Sequence, residues 1–252
     1  DRDTQGVLEF GLIERSVTKL LDLNQPLRDT EHTVLRACYN RTCSTGIRAD
    51  VLTTRMCANL DCMEAIWTYR RTFGMQLAIP SILGHILAVG NRNPHTTMFC
   101  QVSGRMSTVD FQPRLSLKSN ELQLHLCEMP FRLTRNIERV LQPFLFNAVF
   151  KSSIGTILIA LRHTLEPGGF LEPYLQLFLG DEHIHGCNPH VPVHVHILEN
   201  MARITNRILK SAPPLAFPSC SACVETGLSN LVSHAIAPDN IATMPPLWQP
   251  WL

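Results

Sequence analysis

Charge is scarce in this chain and spread thinly. Only 17% of the 252 residues are Asp, Glu, Lys or Arg, and the formal net charge is +1. No run of Lys or Arg makes a stripe that could follow a phosphate backbone, so direct nucleic-acid binding is not expected. Long apolar runs are missing as well. The longest, around Leu77–Val89, holds Pro80, Ser81 and His85, whereas a membrane-spanning helix needs about 20 predominantly apolar residues. No segment recurs with a period of about 20–50 residues, which argues against a solenoid. The chain opens at Asp1 without a Met or a signal-like segment. A piece of a longer protein in a reducing compartment is therefore expected.

Apolar residues make up 45% of the chain. That supports a sizeable core and argues against disorder. The length suggests one or two domains.

Nine cysteines and eleven histidines raise the question of metal. Cys220 and Cys223 form a C-x-x-C pair. Cys38/Cys43 and Cys57/Cys62 are each five apart, and His183, His185, Cys187, His190, His194 and His196 crowd together. A structural zinc needs four convergent ligands, usually as two close pairs. Only one pair here is tight, and it adjoins a Pro/Ser stretch. We expect reduced thiols, an ordinary loop over His183–His196, and no metal site. A metal-stabilised binding module built on that histidine cluster is the competing expectation.

The periodicity is mainly helical. Val7–Leu23 starts strand-like and turns helical, and Thr30–Asp61 is mixed in polarity with many candidate turns. Ile66, Tyr69, Phe73 and Leu77 line one face of a helix over Glu64–Ala78, which Pro80 should kink or interrupt. Ile82, Leu83, Ile86 and Leu87 carry the apolar face onward to a loop at Gly90–Pro94. Met98–Val109 looks like two short strands about a Ser103-Gly104 turn. Thr134 is a candidate N-cap for a helix through Ile137, Val140, Leu141 and Phe144, kinked by Pro143. Helices should follow through Ile154–Leu161, ending near Glu166–Gly169, and then over Leu171–Leu179 and Ile197–Ile208, the last stopped by Pro213-Pro214. Ser211–Ser221 is a linker by composition. A last short helix carries Leu228, Leu231, Val232 and Ala235 and ends near Pro238.

Three segments, in order, resemble the phosphatidylinositol-3-kinase-related kinases. Leu83-Gly84-His85-Ile86-Leu87-Ala88-Val89-Gly90-Asn91-Arg92-Asn93-Pro94 resembles the catalytic loop, whose usual form is L-G-Y-I-L-G-L-G-D-R-H-P-x-N. Val109-Asp110-Phe111 resembles the metal-binding D-F-G. Pro130-Phe131-Arg132-Leu133-Thr134-Arg135-Asn136-Ile137 resembles the stretch after the activation loop. Asn230 to Ala235, Asp239 to Met244 and Trp248-Gln249-Pro250-Trp251-Leu252 resemble the FATC module that closes chains of this family. The W-x-P-W-L ending, with Trp67–Phe73 and Gln76-Leu77-Ala78, resembles the TRRAP branch. The likeness is good over residues 64–166 and 224–252 and looser elsewhere.

The resemblance implies a mainly α C-terminal lobe of a protein-kinase-like domain with a few short strands. Residues 1–210 would form the lobe, 211–223 a linker and 224–252 the FATC module, with Val7–Phe10 as a hinge between lobes. It also implies a dead active site. Phosphoryl transfer needs a carboxylate to orient the hydroxyl and an Asn and an Asp to hold metal. Asn91 stands at the catalytic Asp position, and an amide cannot take the proton. Asn93 replaces the His, Thr96 replaces the metal-binding Asn, and Asp110 alone survives, with Gln112 after Phe111. Loss of a positioned base costs about 10²- to 10⁴-fold, and loss of a metal ligand compounds it. We therefore expect no catalytic residue, no cofactor and no metal. Arg92 should be a structural ion-pair partner, and Trp248, Trp251 and Leu252 packing anchors.

The function so implied is a non-catalytic nuclear scaffold in histone-acetyltransferase coactivator complexes of the SAGA type. Its partners would be other subunits, with transcription activators contacting upstream regions and no membrane involved. The alternative is an active Ser/Thr kinase with a rearranged site.

Overall fold

The computed structural model describes residues 29–89, 92–109, 129–165, 169–186, 192–211 and 221–244, together with 248 and 250; the side chains of 29–32, 45, 182–186, 196 and 221–224 fall outside the description. The expected strand-to-helix stretch Val7–Leu23, with the hinge at Val7–Phe10, lies outside these residues, as do Gly90, Asn91, Asp110, Gln112, Trp251 and Leu252.

Two helices, α1 (Asp29–Thr45) and α2 (Val51–Cys57), replace the turns expected between Thr30 and Asp61. Their apolar signal is thin. On α1 only Leu35, Tyr39 and Thr42 are buried among the described side chains, and on α2 only Met56. No periodic stripe announced them. The connection between them is fixed from afar by a wholly buried amide: Asn136 donates through Nδ2 to the Arg48 carbonyl at 3.1 Å and accepts from Leu52 N at 3.2 Å.

The central helix α3 (Met63–Ile86) starts where the Cys62 thiol accepts from Ala65 N at 3.4 Å. It runs through Pro80 without interruption. Proline removes one backbone donor there, but Leu77, Ala78, Ile82 and Ile86 are buried on both sides of it. Their burial outweighs one missing bond, and the expected break does not occur. Strands β1 (Thr97–Phe99) and β2 (Met106–Thr108) pair antiparallel, Thr97 opposite Thr108. The hairpin end rests on α3. Gly104 holds φ +70, and a Cβ there would lie 2.5 Å from the Tyr69 carbonyl oxygen.

Helix α4 (Arg135–Leu141) starts after Thr134 as expected, though the Thr134 side chain makes no cap bond. It does not kink at Pro143 but stops at Leu141. Arg70 closes its end, donating from Nε to Val140 O at 2.6 Å and from Nη2 to Gln142 O. Phe144, expected on the buried face, is thus left 69% exposed. A π-helical turn, Phe146–Lys151, leads into α5 (Ser152–His163). Phe150 meets Phe146 in a tilted pair and Phe131 edge-to-face, with centroids 5.9 and 6.1 Å apart.

Helices α6 (Leu171–Gly186) and α7 (Val193–Ser211) are both longer than expected. They take in His183, His185, His194 and His196, so these four residues are helical where a loop was expected; residues 187–191 of that cluster lie outside the described residues. Of the expected linker, residues 212–220 lie outside the described residues, and its ends are helical. Ser211 closes α7, and α8 (Ser221–Ile236) begins before residue 224. Pro238 then opens α9 (Pro238–Ala242).

One hydrophobic cluster joins α3, α4, the π turn, α5, α7 and α8 around Tyr69, Phe73, Ile82, Phe150, Ile154 and Ile208. A second, smaller one joins Tyr39 of α1 to Met129, Ile241, Met244 and Trp248. No single described helix is long and apolar enough to cross a membrane.

Candidate functional site

The C-terminal end of α3 aims the loop that resembles a catalytic loop. Val89 N donates to Gly84 O at 2.8 Å and Ala88 N to His85 O at 3.3 Å. This pair of bonds is the left-handed C-terminal cap in which glycine is usual at the turning residue. The turning residue is Ala88, at φ 52. The family pattern has glycine there, so the chain carries a strained residue at the mouth of the loop. The Arg207 guanidinium reaches the end of α3 from α7 and donates to Ile86 O at 2.9 Å, neutralising the negative helix terminus.

Beyond the cap, Asn93 and Thr96 close on each other. Asn93 Oδ1 accepts from His95 N at 3.0 Å, and the Thr96 hydroxyl donates to Asn93 O at 2.8 Å. Val109 N donates to Thr96 O at 2.8 Å, continuing the hairpin register. The fold thus brings the start of the Val109-Asp110-Phe111 segment to Thr96, as a phosphotransfer loop requires. Both described side chains, however, offer neutral oxygens already used in closing the turn. Among the described residues no three His, Cys, Asp or Glu could hold a metal ion. Cys187, His190 and Cys220 lie outside them.

Arg92 turns away from the loop. It donates from Nε to Val89 O at 3.3 Å and from Nη1 to Met129 O, and its guanidinium lies 5.5 Å from the Trp248 ring centroid. The described partners of Arg92 thus include two backbone carbonyls and an indole. Arg132 donates from Nε to Trp248 O at 2.7 Å. Burial pulls its pKa down to about 10. Trp248 holds two cations, one by its ring and one by its carbonyl. Arg135 ties the same segment to α1, donating from Nη1 to Cys43 O at 2.8 Å and from Nη2 to Ile47 O.

Arg92 and Arg132 border a cleft of about 210 Å³ between α3, the hairpin and the Phe131–Arg132 segment, and Thr96 and Thr108 sit on its rim. Behind the cap, His85 lies 3.5 Å from the Ser211 hydroxyl. Burial first, then the positive field of Arg92 and Arg207, lowers its pKa to about 4.

Sequence reading missed the Trp248-centred pairing of Arg92 with Arg132, and the buried Asn136. Nothing in the local pattern announces a partner so distant in the chain. The available signal was the set of four polar residues, Arg132, Thr134, Arg135 and Asn136, among the apolar residues of 129–137.

Residues 18–185 match the family described as phosphatidylinositol 3- and 4-kinase. Over 208 residues the chain is 26% identical to the SAGA complex/NuA4 acetyltransferase complex subunit TRA1 of Saccharomyces cerevisiae, a match that covers 75% of this chain and 6% of that protein. It is 22% identical over 260 residues to the human transformation/transcription domain-associated protein, covering 98% of this chain and 7% of that protein. The fold is that of the FAT and kinase domain of CtTel1, with a TM-score of 0.63 and 17% identity, over 95% of this chain and 16% of that one. The chain therefore spans less than a tenth of the length of the two curated relatives.

Proposed function

The chain belongs to the phosphatidylinositol 3- and 4-kinase family, and we propose that it is a non-catalytic member, acting as a nuclear scaffold in histone-acetyltransferase coactivator complexes of the SAGA kind. The observation that carries this reading is the likeness to TRA1 over three quarters of the chain, a protein whose name places it in SAGA and NuA4. The chemistry points the same way. Asn91 stands where the family pattern has the proton-accepting Asp, Thr96 stands at the metal-ligand Asn, and the Thr96 hydroxyl is committed to Asn93 O. Asp110 is the one carboxylate left of the expected set.

In this reading the lobe carries partners instead of phosphate. Its contacts are other subunits of a multiprotein complex, with activators bound through other regions of the longer protein and no direct nucleic-acid contact. The FATC-type module would be residues 224–252, with Trp248, Trp251 and Leu252 proposed as its packing anchors.

Three measurements test this on the intact protein that contains the chain. Incubation with labelled Mg-ATP should give no phosphate transfer above background, and Asn91→Ala should leave complex assembly unchanged. Affinity purification should recover acetyltransferase subunits. Transfer that is lost in Asp110→Ala establishes the kinase alternative and overturns the proposal.

A further inference from the structure

We propose that the cleft between α3, the hairpin and the Phe131–Arg132 segment binds a neutral aromatic small molecule of one or two fused rings, held by ring contacts and not by charge. This inference stands apart from the scaffold reading. The recess, of about 210 Å³, has walls of Phe73, Leu77, Phe99, Met106 and Phe131. Concave, mostly apolar walls are the usual form of a small-molecule site. The hollow has a cause in the sequence. Leu77, Ser81 and Gly84 share one buried face of α3, at spacings of four and three, and all three line the recess. Side-chain size falls along that face from leucine to serine to none, so the space opens toward the C-terminal end of the helix. Wall atoms around such a space lack dispersion partners. Water, which needs polar partners, fills it poorly.

The ligand class follows from the walls. Phe73 and Phe99 meet edge to face, with ring centroids 6.3 Å apart. Phe73 is buried, whereas Phe99 keeps 38% of its surface exposed. Met106 stands opposite Phe99 across the hairpin, and both line the recess. Aromatic rings favour edge-to-face and offset contacts, and a thioether adds a favourable contact to a ring. A flat aromatic guest therefore gains more here than an aliphatic one of the same area. Size sets the upper limit: an apolar cavity of about 150 Å³ accommodates benzene, so this recess has room for a fused bicycle such as indole. Charge is selected against. A charged group loses its water on entering apolar walls, and a neutral ring loses little. At the mouth, Arg92 is engaged by Val89 O, Met129 O and the Trp248 ring, and Arg132 by Trp248 O, so both serve to hold the loop ends.

The probe is labelled indole, in equilibrium dialysis against the full chain, with folding checked by circular dichroism and with indole-3-acetate and cyclohexanol as competitors. One indole per chain is expected, displaced by either competitor only at about tenfold or higher concentration. The thermal midpoint should rise with indole concentration, because the ligand binds the folded chain alone. Gly84 lines the recess, and a Cβ there meets only Val89 Cβ at 3.9 Å, an ordinary contact. Gly84→Leu fills the recess and should weaken indole about tenfold or more. Thr108→Phe blocks the same space from the hairpin side if Gly84→Leu does not fold. Indole-3-acetate or cyclohexanol competing as well as indole, a folded cleft-filling variant that still binds normally, or no saturable binding to the folded chain each overturns the proposal.

Discussion

The guanidinium of Arg92 lies 5.5 Å from the centre of the Trp248 indole ring, and the Trp248 carbonyl accepts from Arg132 at 2.7 Å. One residue near the end of the sequence thereby fixes both ends of the loop system that resembles a kinase site. Trp248 is buried together with Tyr39, Met129, Ile241 and Met244. Trp248→Ala removes a large aromatic from that cluster and the ring face beside Arg92, while the backbone carbonyl that accepts from Arg132 stays in the chain. A loss of about 3–5 kcal/mol is expected, read by urea denaturation, with Trp248→Phe losing less. Deleting Trp248–Leu252 should act in the same direction, with faster limited proteolysis and weaker incorporation into the complex. A truncated chain as protease-resistant as the intact one removes the tail from the core.

His85 gives the chain an acid sensitivity. Its pKa falls from 6.5 to about 4, through burial and then through Arg92, Arg207 and His234, with the Ser211 hydroxyl its one described hydrogen-bond neighbour. Between those two values the unfolded chain binds the proton and the folded chain does not, so stability rises with pH across that window and is lost on acidification. About 2 kcal/mol should disappear between pH 7 and pH 5. His85→Tyr, the residue of the family pattern, should flatten that slope in paired denaturant titrations at the two pH values.

Two left-handed residues should respond in opposite directions. Gly104 at φ +70 faces the Tyr69 carbonyl, 2.5 Å from where a Cβ would stand. Gly104→Ala therefore combines backbone strain with a steric clash and should cost about 2–4 kcal/mol. Ala88 at φ 52 sits in a cap that prefers glycine. Ala88→Gly relieves the strain and should raise the unfolding free energy by about 0.5–1 kcal/mol. Denaturation midpoints of the two variants read both, and a destabilising Ala88→Gly contradicts the strain argument.

The elements that were legible in the sequence carry their own periodic apolar stripe. Tyr69, Phe73 and Leu77 announce α3, Met201, Ile204 and Ile208 announce α7, and Leu228, Val232 and Ala235 announce α8. The hairpin was legible from Ser103-Gly104. What stayed hidden depends on distant partners. Helix α1 buries few residues, and Tyr39 packs against the distant Met129, Ile241, Met244 and Trp248, so no local pattern could reveal it. Pro80 reads as a breaker in any window of sequence and is overridden by burial on both sides. The order of the site motifs was visible because the chemistry leaves residue-level traces such as Asn91 and Thr96. The arginine pair on Trp248 was not, because cation–indole contacts leave no spacing rule.

The small cluster around Tyr39 also sets an order of events. Arg36 pairs with Asp239 at 2.8 Å, and Tyr39 packs with Ile241, Met244 and Trp248. Those partners are synthesised long after α1. On the ribosome, α3 to α7 can gather their own core while the apolar side of α1 waits without a cover. Contacts between segments so far apart in sequence close slowly, because the loop entropy is lost before the contact is gained. A chain halted before residue 241 would lack the C-terminal partners of Tyr39 and leave Arg92 without the Trp248 ring.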